Sequence, residues 1–219
     1  MAAPCAASWC SEGSGPVTRV GLETGERWVF ASALDWPGWA RRAKGAEAAL
    51  EALDAYADRY AAVAGAGFDP GELEVVGSSP GGTDIDFGSI GASGPWDAEP
   101  LTPGELDRQL GLLRAAWAAF DREVAAAPSG LRKGPRGGGR DRDAVVDHTR
   151  EAERTYLRKV GVRVPPRTAW ADQREAALGG LRALAGPQPP AHPWSARYAI
   201  RRMAWHVCDH LWEIEDRSA

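Results

Sequence analysis

Histidine is the residue type in this 219-residue chain with the widest chemistry, and the four histidines are unevenly placed. His206 and His210 stand four residues apart in "RMAWHVCDHLWEI", among Met203, Trp205, Val207, Leu211, Trp212 and Ile214. At about 100° per residue, their imidazoles lie about 40° apart, on the stripe of Ala199 and Met203. His148, in "DRDAVVDHTREAERTYL", shares a stripe with Val145, Ala152 and Tyr156. Three imidazoles therefore point inward from two different helices. His192, which precedes Pro193, stays outside this set.

An i,i+4 pair holds two ring nitrogens close enough to share one metal ion, and a third ligand from a facing helix fixes it. Three neutral nitrogens leave a position for water or substrate, which is the catalytic rather than the closed structural arrangement. The competing reading is ordinary hydrogen-bonded packing. Burying three unpaired imidazoles is costly, however, because each polar ring needs a partner. "HVCDH" lacks the glutamate of the zinc proteases, so that family's general base is missing. Imidazole suits zinc, nickel, iron and copper alike, with zinc or nickel the expectation here.

Around the pair, Arg202 and Glu213 flank the histidines by about 40° and 20° on the same helix. Either could orient a ligand imidazole or a water at the metal, or close a salt bridge at the rim. Tyr156 either places a hydroxyl near the metal or packs. "LRKGPRGGGRDRD" (131–143) sets Arg132, Lys133, Arg136, Arg140 and Arg142 around a glycine-rich turn that feeds the His148 helix. Backbone N–H groups and a helix N-terminus there favour an anion, although neither GK[ST] nor GxGxxG is present. The alternative is a solvated loop. Folded over the metal, Arg136 and Arg140 would bind carboxylates of a thiol cofactor or substrate. Asp84 and Asp86 in "GGTDIDFGS" resemble a turn more than a calcium loop.

These residues need elements to position them. Residues 17–40 read as extended chain with a Thr24–Gly25 turn signal, ending in the bend "WPGW". Residues 45–63 are helical, with Leu50, Leu53, Tyr56, Ala57 and Tyr60 on one stripe. "ELEVV" (72–76) returns as a short strand, so 17–77 forms a strand-strand-helix-strand unit. A connection over 78–101 carries Ile85, Phe87, Ile90 and Trp96 and is expected to pack at a junction. Four amphipathic helices then follow. The first opens with Thr102 as N-cap, Pro103 in the first turn and Glu105 completing a capping box, with Leu106, Leu110, Leu113, Trp117, Phe120 and Val124 as its core stripe. The others span roughly 141–160, 168–185 and 194–216. A four-helix bundle over 102–216 is the economical architecture, and the fold class is α+β. The Trp205–Cys208–Trp212 stripe faces away from the histidines, toward the N-terminal unit, with Cys208 an ordinary buried thiol.

A bundle with one histidine on its second helix and HxxxH on its last resembles the DinB superfamily. "DAVVDHTREAERTYLRKVG" and "RRMAWHVCDHLWEIEDR" carry the likeness. The resemblance implies a divalent metal on His148, His206 and His210, and thiol-dependent transferase, isomerase or hydrolase chemistry with a low-molecular-weight thiol such as mycothiol, bacillithiol or glutathione. "WVFASALDWPGW…GAEAALEALDAYADRY" is similar to the N-terminal fold of HicB-type antitoxins, which implies a partner-binding module. A structural cap over the bundle, or a dimerisation element, is the plainer role for 17–77. The other function class is then a non-catalytic metal-binding or partner-binding protein. A structural metal site would be closed by a fourth ligand such as Glu213 or Asp209.

Net charge −4 argues against a general nucleic-acid binder. No apolar run approaches the ~20 residues that span a bilayer, so no membrane partner is expected. The first 15 residues lack a basic start and a continuous apolar run, unlike a signal peptide. Cys5, Cys10 and Cys208 imply no disulfide framework. Together these lead us to expect a cytoplasmic protein acting on a small molecule. A homodimer through exposed tryptophans, among the ten present, is compatible with the composition.

Overall fold

The computed structural model describes residues 15–91, 93–134, 139–185 and 192–218. The fold is α+β: a small mixed sheet of four strands precedes a mostly helical region. Strands β1 (Val17–Thr24), β2 (Val29–Ala33), β3 (Ala40–Ala43) and β4 (Glu72–Pro80) are ordered β3-β2-β1-β4. The first three pair antiparallel, while β4 lies parallel to β1. β1 ends where the sequence places its turn, with Gly25 N–H bonded to the Trp28 carbonyl at 2.8 Å.

The N-terminal unit differs from the expected one in three ways. A third strand, β3, follows "WPGW". Its sequence "ARRA" has no apolar alternation. Its two arginines instead lay their guanidiniums over rings, Arg41 at 3.9 Å over Tyr56 and Arg42 at 4.3 Å over Trp28. Second, the expected single helix is two, α1 (Ala46–Asp54) and α2 (Ala57–Ala64). The Leu53 carbonyl takes the Tyr56 N–H at 3.0 Å and the Trp39 indole at 2.8 Å, so the chain tightens and turns there. Third, β4 runs on to Pro80 and pairs with all of β1, through a register shift at Val20/Gly21. The connection then forms α3 (Thr83–Phe87) and a 3-10 turn, Pro95–Ala98. Ile85, Ile90 and Trp96 are buried as expected, but Phe87 is 88% exposed.

Four long helices complete the chain: α4 (Pro103–Ala126), α5 (Arg142–Lys159), α6 (Trp170–Leu184) and α7 (Ala196–Ser218). The capping box at the head of α4 forms as the sequence indicates, with Thr102 Oγ1 accepting from Glu105 N–H and Glu105 accepting from Thr102 N–H. Leu110, Leu113, Trp117 and Phe120 of its stripe are buried, while Leu106 and Val124 pack at the edge. α7 packs on α4, α5 and α6.

Pleat alternation ties the sheet to α7. Val29, Ala31 and Ala33 of β2 join one apolar core continuous with α4–α7. Phe30, on the opposite face, joins Ile85, Ile90, Tyr198 and Trp205 in a second. Gly38, at φ +108°, lets the "WPGW" bend approach α7; a Cβ there would lie 2.9 Å from Cys208 Sγ. Phe30 meets Trp205 edge-on at 5.5 Å and Tyr56 meets Trp212 at 5.0 Å, so the Trp205–Cys208–Trp212 stripe covers the N-terminal unit.

Between these cores lies a joint that the sequence reading missed. Arg201 is buried with Glu23 of β1 and Asp97 of the 3-10 turn. Its Nη1 donates to Glu23 at 2.7 Å, and its Nε and Nη2 grip Asp97 at 3.1 and 2.6 Å. Backbone N–H groups of Gly91 and Gly94 donate to the two carboxylates at 3.0 and 2.8 Å. Arg201 lies on the helical stripe of Trp205 and Cys208. A cation on a stripe facing a buried sheet requires carboxylates opposite, and that was the available signal. Among the described residues every tryptophan is buried or half-buried. The exposed large hydrophobics are Val17, Val75, Val76 and Phe87. No helix is long and apolar enough to cross a membrane, among the described residues.

Candidate metal centre

α5 and α7 deliver the three histidines to one point. His206 and His210 are buried, and His148 is half-buried. One ring nitrogen from each lies within 4.8 Å of the others. The ring centroids stand 4.6 Å apart for His206–His210, 5.0 Å for His148–His210 and 5.2 Å for His148–His206. His192 instead packs over Gly161.

Glu213, one turn beyond His210, receives a hydrogen bond from His210 Nδ1 at 2.8 Å. A carboxylate only accepts, so this contact selects the Nδ1–H tautomer and leaves the Nε2 lone pair for a ligand role. The other Glu213 oxygen takes Arg217 Nη1 at 2.6 Å. These donors, with the His210 bond first, hold the Glu213 carboxyl below the usual range. Asp209 pairs with Arg41 at 3.4 Å. Of the two carboxylates considered for closing a structural site, Glu213 is thus held against His210 and Asp209 against Arg41.

Burial, followed by the charge of neighbouring histidine and arginine, lowers His148 and pushes His206 well below its ordinary value. Both rings stay neutral, which is the form that ligates. His206 Nδ1 is buried with no hydrogen-bond partner. An unsatisfied buried polar atom costs roughly 1–3 kcal/mol, a cost absent for a nitrogen whose lone pair enters a metal. Three convergent imidazoles, one oriented by a carboxylate and one with an orphaned nitrogen, fit a divalent transition metal well.

Other candidates are distributed around this centre. The Tyr156 ring meets His206 edge-on at 5.5 Å, and the Arg202 guanidinium lies 5.2 Å over Tyr156. Arg202 Nη2 donates to Ser89 Oγ at 2.7 Å, which ties it to the connection and not to a histidine. Arg140 is near enough for its charge to lower His148 and His206. Arg136 lies outside the described residues, as do Cys5 and Cys10. The described flanks of the basic loop bind the ends of α7 and α4 or one another. Arg132 Nη2 donates to the Asp216 carbonyl at 2.6 Å, Lys133 pairs with Asp141 at 3.2 Å, and Arg142 Nη1 donates to the Ala127 carbonyl at 2.8 Å. Glu153, a buried acid on α5 not singled out in the sequence, lies about 140° round from His148. It accepts from the Trp170 indole and takes no part in this centre.

No protein-family model, no curated protein and no solved structure matches this chain.

Proposed function

We propose that this chain is a metal-dependent enzyme of the DinB type, holding zinc or nickel on His148, His206 and His210 and carrying out thiol transfer or hydrolysis on a small molecule in the cytoplasm. One observation carries the reading: three imidazoles from two helices converge within 4.8 Å at the edge of an apolar interior, while Glu213 is held by His210 and Asp209 by Arg41. A divalent cation there supplies Lewis acidity and lowers the pKa of a water or of a low-molecular-weight thiol. Glu213 holds the His210 ring and its tautomer. Tyr156 and Arg202 wall the His206 side, and half-buried His148 leaves the centre open toward solvent. The sheet acts as a cap that fixes the opposite face of α7.

Elemental analysis of untagged protein beside His206→Ala tests the reading. About one equivalent of a transition metal is expected in the parent and a loss in the variant, with helicity retained. Equal metal content in the two proteins, or none in the parent after reloading, refutes it.

A further inference from the structure

Beside Asp209 of α7, a pocket of ≈ 190 Å³ opens between the helix and the edge of the sheet. Its lining is Trp28, Phe30, Arg41, Arg42, Gly88 and Asp209. Two guanidiniums and one carboxylate leave one positive charge in this lining. Lys44 adds a second cation at the rim, 5.7 Å from the Trp28 ring. Arg41 spends part of its fork on Asp209, at 3.4 Å. Arg42 Nη1 donates to the Ile85 and Asp86 carbonyls at 2.8 and 3.1 Å, which fixes the plane of its fork against Trp28. Desolvation pushes the Arg42 guanidinium down, against the opposing pull of the Asp209 and Asp86 carboxylates.

Two buried donors without acceptors lie outside this lining. Trp205 Nε1 and Arg202 Nη1 are buried and make no hydrogen bond, and the Arg202 guanidinium lies 4.9 Å over the Trp205 ring. The pocket is also close to the histidines. Phe30 touches Trp205 at 5.5 Å and Trp205 touches His206 at 6.0 Å, so a single indole separates the two. A mainly cationic lining suits an anion, and a guanidinium fork matches a carboxylate.

We propose that this pocket binds the carboxylate of a small organic acid.

The test titrates the full chain with 4-fluorobenzoate and with neutral 4-fluorobenzyl alcohol, followed by fluorine NMR, before and after metal removal by chelator. Saturable binding of the acid and not of the alcohol is expected in both preparations. Arg41→Gln and Arg42→Gln should each weaken acid binding by about tenfold or more, the worth of a charged hydrogen bond, while leaving metal content unchanged. Asp209→Asn removes the only acid in the lining and should tighten binding by roughly two- to fivefold, a gain that misfolding cannot produce. Equal binding of acid and alcohol, no saturable binding, or an acid affinity indifferent to all three substitutions overturns the pocket.

Discussion

Replacing Glu213 tests the metal centre without touching a ligand. The Glu213 carboxylate binds His210 Nδ1 at 2.8 Å and is itself held by Arg217 at 2.6 Å. Removing it frees the His210 ring to rotate and to place its proton on the nitrogen that should ligate. Outer carboxylates on ligand histidines are typically worth about 10- to 100-fold in metal affinity, or about 1.4–2.8 kcal/mol. A charged hydrogen bond of roughly 1.5–3 kcal/mol gives the same scale independently. Glu213→Ala should therefore weaken zinc by about 100-fold, and Glu213→Gln, which keeps an acceptor and loses the charge, by about tenfold. Arg217→Gln, one step further out, should cost only a few-fold. The assay is competition with a chromophoric chelator, with circular dichroism confirming that each variant is folded. A zinc affinity for folded Glu213→Ala within twofold of the parent would show that His210 is not held for a metal by this carboxylate, and the argument from tautomer fails.

Three further outcomes concern the frame around the centre. Arg201→Met leaves Glu23 and Asp97 buried without their cation, so unfolding by denaturant should show a loss of about 3–5 kcal/mol; a loss under 1 kcal/mol would mean the joint relaxes around water. Gly38→Ala forces a side chain into φ +108° and against Cys208, which should cost roughly 1–3 kcal/mol in the same measurement. The capping box holds the Glu105 carboxyl below its ordinary value, chiefly through the Thr102 hydroxyl and N–H. A depressed folded-state pKa stabilises above the unfolded pKa, and the benefit fades as pH falls through the folded one. Glu105→Gln should accordingly lower the melting temperature at pH 7 and converge with the parent at low pH, whereas a constant difference across that range would contradict the assignment.

The helices of the second half were legible because their signals are local. Thr102, Pro103 and Glu105 mark a start whatever the rest of the chain does, and a stripe such as Leu110–Leu113–Trp117–Phe120 repeats with the helical period. The same periodicity put His148 and the His206–His210 pair on inward faces before any helix was placed beside another. β3 was not legible, because "ARRA" has no alternation and its arginines are accommodated by rings at positions 28 and 56, which only folding brings near. The break between α1 and α2 likewise depends on an indole from Trp39 reaching the Leu53 carbonyl.

By itself the sequence determined the α+β class, the four long helices and the faces that bear the imidazoles, since each follows from spacing along one segment. Only tertiary structure decided what stands opposite those faces. It brought the three histidines within 4.8 Å of one another and turned Asp209 toward Arg41 while Glu213 braced His210. It also joined Arg201 to carboxylates 178 and 104 positions away in the chain. Periodicity orients a side chain about its own axis, but the partner it meets is chosen by how the segments pack together.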